Sequence, residues 1–515
     1  MNRIFCIALA ALVSLSASAQ TIVQVRAGGN KYSSPFDHPT NAWNYLISRG
    51  SNNWVLDIGP GLWTVSAGYG AYGGRGGFHT DGNLRNVRIT GSGMYTTIIS
   101  NSMWGDVFFL GTNSNNIEMD NFGFKQPRTG DGAILTNGIG SNYISSIIAN
   151  YTDDRTLSSN YFIHDIYAES VQDLGIFIRA NQVLMENIHV QGLGTTNLSI
   201  NNSHQPDGMC IGGSGSDWIV RNCFFYDVCY GLEVGGHPSA VGIRTNRNWL
   251  IENVYCSSWV SAFNLFPDTT MRFENVVFKN CTASTVVGYT NVSIQGARNA
   301  PCDKGFLFGG DAYNVTIDGC TTINCMNGVL TSITTGHLSE LTVKDSTFLH
   351  DGAQVAFDSS STWTGISAAP INSFGTNNIV NARIEGNTIK GVPLYAMNIA
   401  GTNMTVRGNT IINSGYQGAF GIGFAISTNL FSANQIRLGN IVIEDNLLIS
   451  QGVTMDYGCL ISSGVTNVVY RNNRQIGGTE RLGGGAAAST GLFTNVTWNS
   501  MWGNQGTNFS VGVAY

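Results

Sequence analysis

Along most of this chain, short runs of alternating apolar and polar residues reach an Asn and then turn into a second apolar run. Three successive copies read Gln182-Val-Leu-Met-Glu-Asn-Ile-His, Asp217-Trp-Ile-Val-Arg-Asn-Cys-Phe and Asn248-Trp-Leu-Ile-Glu-Asn-Val-Tyr. They alternate with segments that carry Gly or Ala second: Asp207-Gly-Met-Cys-Ile, Tyr230-Gly-Leu-Glu-Val and Ser261-Ala-Phe-Asn-Leu. Alternation over so few residues marks half-buried strands. The Asn marks the bend, because it tolerates left-handed backbone and its side chain bonds nearby peptide groups. These asparagines are therefore structural. Further copies begin at Asn86, Asn116, Tyr161, Arg272, Asn314, Glu340, Ala382, Met404, Ile441 and Val468. A repeat of roughly 22 to 40 residues built from three short strands and their turns predicts an all-β, single-domain, right-handed parallel β-helix.

Departures from the repeat lie at its ends. Asn41 to Arg49 has helical spacing, with Thr40 as N-cap and Gly50 as its stop, and such a helix would cover the open first edge of a stack of strands. Trp54 to Ile58 reads as a strand and Gly59 to Gly82 as a long loop. The expected organisation is an N-terminal cap with first coils over 20–82, the β-helix over 83–476, and a linker and cap over 477–515. Residues 1–19 read as a secretory leader, with a basic start at Met1-Asn-Arg, an apolar stretch from Ile4 to Leu15, and Ser16-Ala-Ser-Ala-Gln offering cleavage after Ala19. No later run approaches the roughly 20 apolar residues of a membrane-spanning helix. Export to the periplasm or medium, without a membrane partner, is expected.

Composition narrows the partners. Only 11% of residues are charged and the net charge is −6, so no basic stripe exists to neutralise phosphates, and nucleic acid is excluded. Neutral or acidic sugars remain. Of ten cysteines Cys6 lies in the leader, leaving nine, an odd number. Cys223, Cys281 and Cys320 flank the turn positions and are expected to stack as buried thiols, with Cys320–Cys325 or Cys223–Cys229 as candidate local bridges. Paired spacing with histidines for zinc is lacking.

The succession Asp207-Gly-Met-Cys-Ile, Ile219-Val-Arg-Asn-Cys, Tyr230-Gly-Leu-Glu-Val and Ile251-Glu-Asn-Val resembles the pectin-lyase-like superfamily, and within it the polygalacturonase type of glycoside hydrolase. The resemblance implies a right-handed parallel β-helix and a polysaccharide substrate. Asp207-Gly208 matches the family's first acidic motif. The place of its Asp-Asp pair holds Cys229-Tyr230, and Gly236-His237-Pro238 comes before the place of its Gly-His-Gly.

Aligning the Gly-bearing strands places Leu174-Gly-Ile-Phe-Ile beside Asp207-Gly-Met-Cys-Ile, Tyr230-Gly-Leu-Glu-Val, Ser261-Ala-Phe-Asn-Leu and Lys304-Gly-Phe-Leu-Phe. Third and fifth positions should face the core. Small second positions suggest a smooth outer trough. Outward fourth positions become Phe177, Cys210, Glu233, Asn264 and Leu307. Asp207 and Glu233 would sit on neighbouring coils, roughly 6 to 10 Å apart, which suits two carboxyl groups hydrolysing a glycosidic bond with inversion. Insertions over Gln191 to Pro206 and Gly235 to Asn246 carry His204, His237 and Arg244, which would bond substrate hydroxyls or a uronate carboxylate. Lys304, Asn264 and Phe177 complete the expected substrate-binding set. Hydrolysis needs no cofactor or metal. The rivals are β-elimination of a uronate, with Arg179, Arg244 or Lys304 as base and calcium as the accompanying ion, and a non-catalytic glycan-binding scaffold.

Overall fold

The computed structural model describes the chain outside residues 1–19, 66–77, 102–106, 126–145, 151–157, 170–173, 192–208, 235–243, 266–270, 286–303, 332–336, 353–362, 369–378, 416–421, 427–437, 452–456, 462–464, 478–481, 485–496 and 500–515, and positions 51, 81, 112 and 310. The expected leader, both insertions apart from their ends, and most of the C-terminal segment lie outside the described residues. Two compact units are distinguished, one of Met1–Gly235, Asn246–Ser258 and Gly288–Asn299, the other of Gly236–Thr245, Trp259–Val287 and Ala300–Tyr515. Each is built from parallel strands stacked coil on coil, the β-helix that the repeat implied.

In the first unit the register runs Ile89, Met119, Ile163, Met185, Val220, Ile251 along one interior column. Every member is fully buried. Trp218 and Trp249 stack beside it with centroids 4.5 Å apart and planes 1° from parallel. Both indole N–H groups donate to backbone carbonyls, Ala180 O and Gly215 O, at 2.8 Å, so burying the rings leaves no donor unmet. The turns behave as the composition demands. Asn187, Asn222 and Asn253 have φ of 52°, 54° and 54°, and a second set, Asn86, Asn116 and Asn160, links side chain to side chain at 2.7 to 2.8 Å.

The second unit repeats the pattern with a different interior. At Gly386, Gly408, Asp445 and Asn472 the left-handed residue comes one place before the interior asparagine. Asn387, Asn409, Asn446 and Asn473 are thereby turned inward, at most 1% exposed. They join in a chain at 3.0, 2.9 and 2.8 Å while also donating to interior carbonyls. Earlier coils fill that column with Cys281, Cys320 and Ser346. Cys223, Cys256, Cys281, Cys320, Cys325 and Cys459 are buried free thiols. Stacking as thiols is thus observed for Cys281 and Cys320, Cys223 is a buried free thiol of the first unit, and the candidate bridges Cys320–Cys325 and Cys223–Cys229 are not formed.

One helix, Pro39–Arg49, occurs among the described residues. It starts two residues earlier than its spacing suggests, and its N-cap is His38 rather than Thr40. Pro39 takes the first helical position, where its missing N–H costs nothing, and the His38 ring accepts from Thr40 N at 3.2 Å. Trp43 and Leu46 bury the apolar face. No helix of the described residues is long and apolar enough to cross a membrane.

Candidate functional site

The strand pairings of the first unit decide which side chains share the expected catalytic column. Leu174 lies beside Met209, and Met209 beside Tyr230. The same register aligns Phe177, Gly212 and Glu233. The strand Met209–Ser214 is therefore displaced by two residues from the sequence alignment: Met209, not Asp207, faces Tyr230, and the fourth outward position is Gly212, not Cys210. Alternation misled here because two consecutive small residues follow Ile211, and the interior is satisfied by placing Ile211 in line with Ile176 and Leu232, all at most 1% exposed. Elsewhere the expected core positions hold: Phe263, Leu265, Phe306 and Phe308 are at most 2% exposed.

In the second unit, small second positions have a different cause from an outer trough. A Cβ at Gly305 would come 2.8 Å from Thr322 Cγ2, one at Gly328 would come 2.4 Å from Phe348 Cδ1, and one at Gly365 would come 2.9 Å from Ile389 Cγ2. Those neighbours are interior residues, at most 2% exposed. These three glycines make room for the core.

What remains on the outside in the first unit is compact. Phe177 and Glu233 are half-buried, and the residue between them in the register has no side chain. At about 4.8 Å per coil, this leaves a notch about 10 Å long between ring and carboxylate. Arg179, 9% exposed, places its guanidinium 5.2 Å from the Phe177 ring centroid. The described residues thus bring Phe177, Arg179 and Glu233 to one strip. Asp207, His204 and His237 lie outside the described residues, as does the side chain of Arg244, whose backbone opens the strand Arg244–Glu252. Asn264 and Lys304 belong to the second unit, where Asn264 is 5% exposed beside Leu307 and Lys304 is half-buried between Ser261 and Asn327.

A second assembly escaped the sequence reading. Glu118 and Asp120 project from Asn115–Lys125, His164 from Ser158–Glu169 and Arg88 from Arg85–Gly91. Arg88 binds the fully buried Asp120 carboxylate at 2.7 Å and Glu118 at 3.4 Å. The His164 ring meets Asp165 at 2.7 Å through Nδ1 and Glu118 at 3.5 Å through Nε2. Burial opposes the imidazolium, but hydrogen bonds to Glu118 and Asp165 and the charge of Asp120 prevail, and the pKa of His164 stands above its ordinary value. For Asp165 burial acts upward, yet the hydrogen bonds from Asn187 and His164 hold its carboxyl below the usual range. Ligand atoms of Glu118, Asp120 and His164 lie within 4.8 Å of one another, a donor set of the right kind for a divalent cation. Arg88 already supplies positive charge there, and the cluster is complete as a network of ion pairs and hydrogen bonds.

That network opens a longer pattern. In the first unit the outward column reads Asp120, His164, Glu186, Arg221, Glu252. In the second it reads Lys279, Asp318, Lys344, Glu385, Arg407, Glu444, Arg471. Opposite charges alternate coil by coil, with contacts of 2.8 Å for Arg221–Glu186, 2.9 Å for Lys344–Asp318 and 2.6 Å for Arg471–Glu444. The signal was present in the residue before each turn and becomes visible only when the turns are superimposed.

No family model matches the chain, and neither does any curated protein. Solved structures do resemble it. The mannuronan C-5 epimerase AlgE6 A-module of Azotobacter vinelandii is 13% identical, with a TM-score of 0.37 over 96% of this chain and 99% of that one. The GH87 alpha-1,3-glucanase catalytic unit of Streptomyces thermodiastaticus is 13% identical, with a TM-score of 0.37 over 96% and 69%. A mannuronic acid specific polysaccharide family 6 lyase from human gut microbiota is 10% identical, with a TM-score of 0.41 over 90% and 85%.

Proposed function

We propose that this protein is an exported enzyme that acts on a polysaccharide and cleaves its glycosidic bonds by acid–base hydrolysis. The observation that carries this reading is the half-buried carboxylate of Glu233 beside the side-chain-free Gly212, with the Phe177 ring beyond it. A pyranose ring seated in such a notch would rest its apolar face on the aromatic ring and bring its glycosidic oxygen to the acid. A carboxyl group at one wall of the notch is placed to act as the acid. Asp207 precedes Gly212 by five residues, so the two-residue displacement removes the side-by-side placement with Glu233 expected from the alignment. Asp207 is the proposed second carboxyl group, serving as base toward water, with the chain folded back before Met209 to bring it to the notch. His204, His237 and Arg244 are the proposed contacts to substrate hydroxyls or a uronate.

Incubation with a panel of neutral and uronate-containing polysaccharides tests the reaction. Hydrolysis releases reducing ends without the ultraviolet absorbance of an unsaturated uronate, whereas β-elimination generates that absorbance. Glu233→Gln and Asp207→Asn are each expected to lower turnover about a thousandfold or more with thermal unfolding unchanged. Unsaturated products, or full activity in both variants, would remove the hydrolase assignment.

A further inference from the structure

We propose that a second outer face of the first unit, carrying Tyr95, Tyr167, His189, Phe224, Tyr226 and Tyr255, is a docking strip for a neutral polysaccharide chain, distinct from the face of Glu233, from which the bend at Asp227 separates it within the strand Phe224–Val234. The inference rests on the polysaccharide reading above and extends it to a surface that this reading does not use.

The rings follow from the register. Gly123, Tyr167, His189 and Phe224 form one outward column, and Lys125, Glu169, Gln191 and Tyr226 form the next. Phe224 stacks on Tyr255 with centroids 4.9 Å apart and planes 11° apart, and lies nearly parallel to Tyr226 at 6.3 Å. Gly123 brings in the remaining ring. A Cβ there would come 2.4 Å from Met94 O and 2.5 Å from Ile98 Cδ1, so only glycine lets the turn before Thr97 fold down onto this face. Tyr95 on that turn reaches across two coils, with its ring 5.0 Å from Tyr167 and its hydroxyl 3.4 Å from His189 Nδ1. Tyr95, Phe224 and Tyr226 are 60%, 43% and 44% exposed.

The exposed rings are gathered on one face rather than scattered singly, and the dimensions of that face select the occupant. Two columns about 7 Å apart over four coils of about 4.8 Å cover about 130 Å². A stable protein partner or second copy buries about 800 Å² per side, several times more than the strip offers. A single polysaccharide chain is the right width. Its C–H faces fit the rings, and its hydroxyls fit the phenol groups and imidazole at the rim. Charge favours a neutral chain: Lys125 and Glu169 pair at 3.5 Å, and burial holds the His189 imidazole below its ordinary pKa despite Asp165 nearby.

The test is affinity electrophoresis of the full chain through gels holding neutral or uronate-rich polysaccharides, with the variant Tyr95→Ala/Phe224→Ala/Tyr226→Ala beside the wild type. The expected result is retardation by a neutral polysaccharide that weakens about tenfold or more in the triple variant, with unchanged melting temperature and unchanged turnover of short oligosaccharides. Glu233→Gln should be retarded as the wild type is. Binding by Glu233→Gln without hydrolysis by the wild type would leave the strip standing and remove the hydrolase reading. Equal retardation of wild type and triple variant, retardation by uronate-rich gels alone, or a change of oligomeric state in the triple variant would overturn the strip.

Discussion

At the scale of single residues, stability rests on small polar groups turned inward and fully bonded. Asn409 is fully buried, donates to Ile384 O and to Asn446, and accepts from the backbone and side chain of Asn387. Replacing it with Leu orphans those partners, and an unsatisfied buried group costs about 1–3 kcal/mol. Asn409→Leu is expected to lower the urea midpoint by an amount equal to about 2–4 kcal/mol, with the slope m unchanged. His164 gives a pH signature. Its folded pKa is raised, so the stability it contributes is complete below the unfolded value near about 6.5 and is lost as pH rises through the folded value. Asp165 acts oppositely, its contribution being lost as pH falls below its unfolded value. Thermal unfolding across pH 6 to 9, roughly the range of His titration, should therefore show a decline in the wild type that His164→Gln flattens. Burial pushes the Cys223 thiol up to about 12. The six buried thiols, Cys320 included although its hydrogen bond with Cys281 lowers its pKa, are shielded from solvent and should resist a colorimetric disulfide reagent until denaturant is added.

At the scale of elements, the alternating charges bear on register. Slipping one coil against the next by a single residue would turn every apolar side chain outward and every charge inward. The ion pairs add a smaller preference, because the Lys344 side chain is 39% exposed and such pairs contribute about 0–1 kcal/mol each. Lys344→Glu sets a third negative charge between Asp318 and Glu385. It is expected to lower the melting temperature by about 2–4 °C at low salt. The difference should shrink in molar salt, where screening acts within about 3 Å; a salt-independent loss would assign the effect to packing.

At the scale of the whole molecule, stacked repeats contribute to stability mainly through nearest-neighbour contacts. Asn409 and Trp218 share no partner. The combined variant Asn409→Leu/Trp218→Phe should therefore lose the sum of the single losses to within about 0.5 kcal/mol, by urea denaturation. The interior carries most of that energy, and the outer surface is left free to vary in chemistry. One stack of strands thus carries both an acidic notch at Glu233 and an aromatic face at Phe224 without a change of architecture.

The sequence by itself determined the architecture. Strand alternation and the recurrent Asn specify which residues bend and which are buried, because both properties are local to the backbone and to hydrophobicity. Even the residues of the charge ladder were fixed there, each just before its turn. Tertiary structure alone decided which coil faces which, and so which side chains become neighbours. The two-residue displacement of Met209–Ser214 could not be read from Asp207-Gly-Met-Cys-Ile. Neither could the joining of Arg88, Glu118, Asp120 and His164, or the reach of Tyr95 over Gly123. Register depends on how interior side chains of successive coils fit together, and that fit is a property of pairs far apart in the chain.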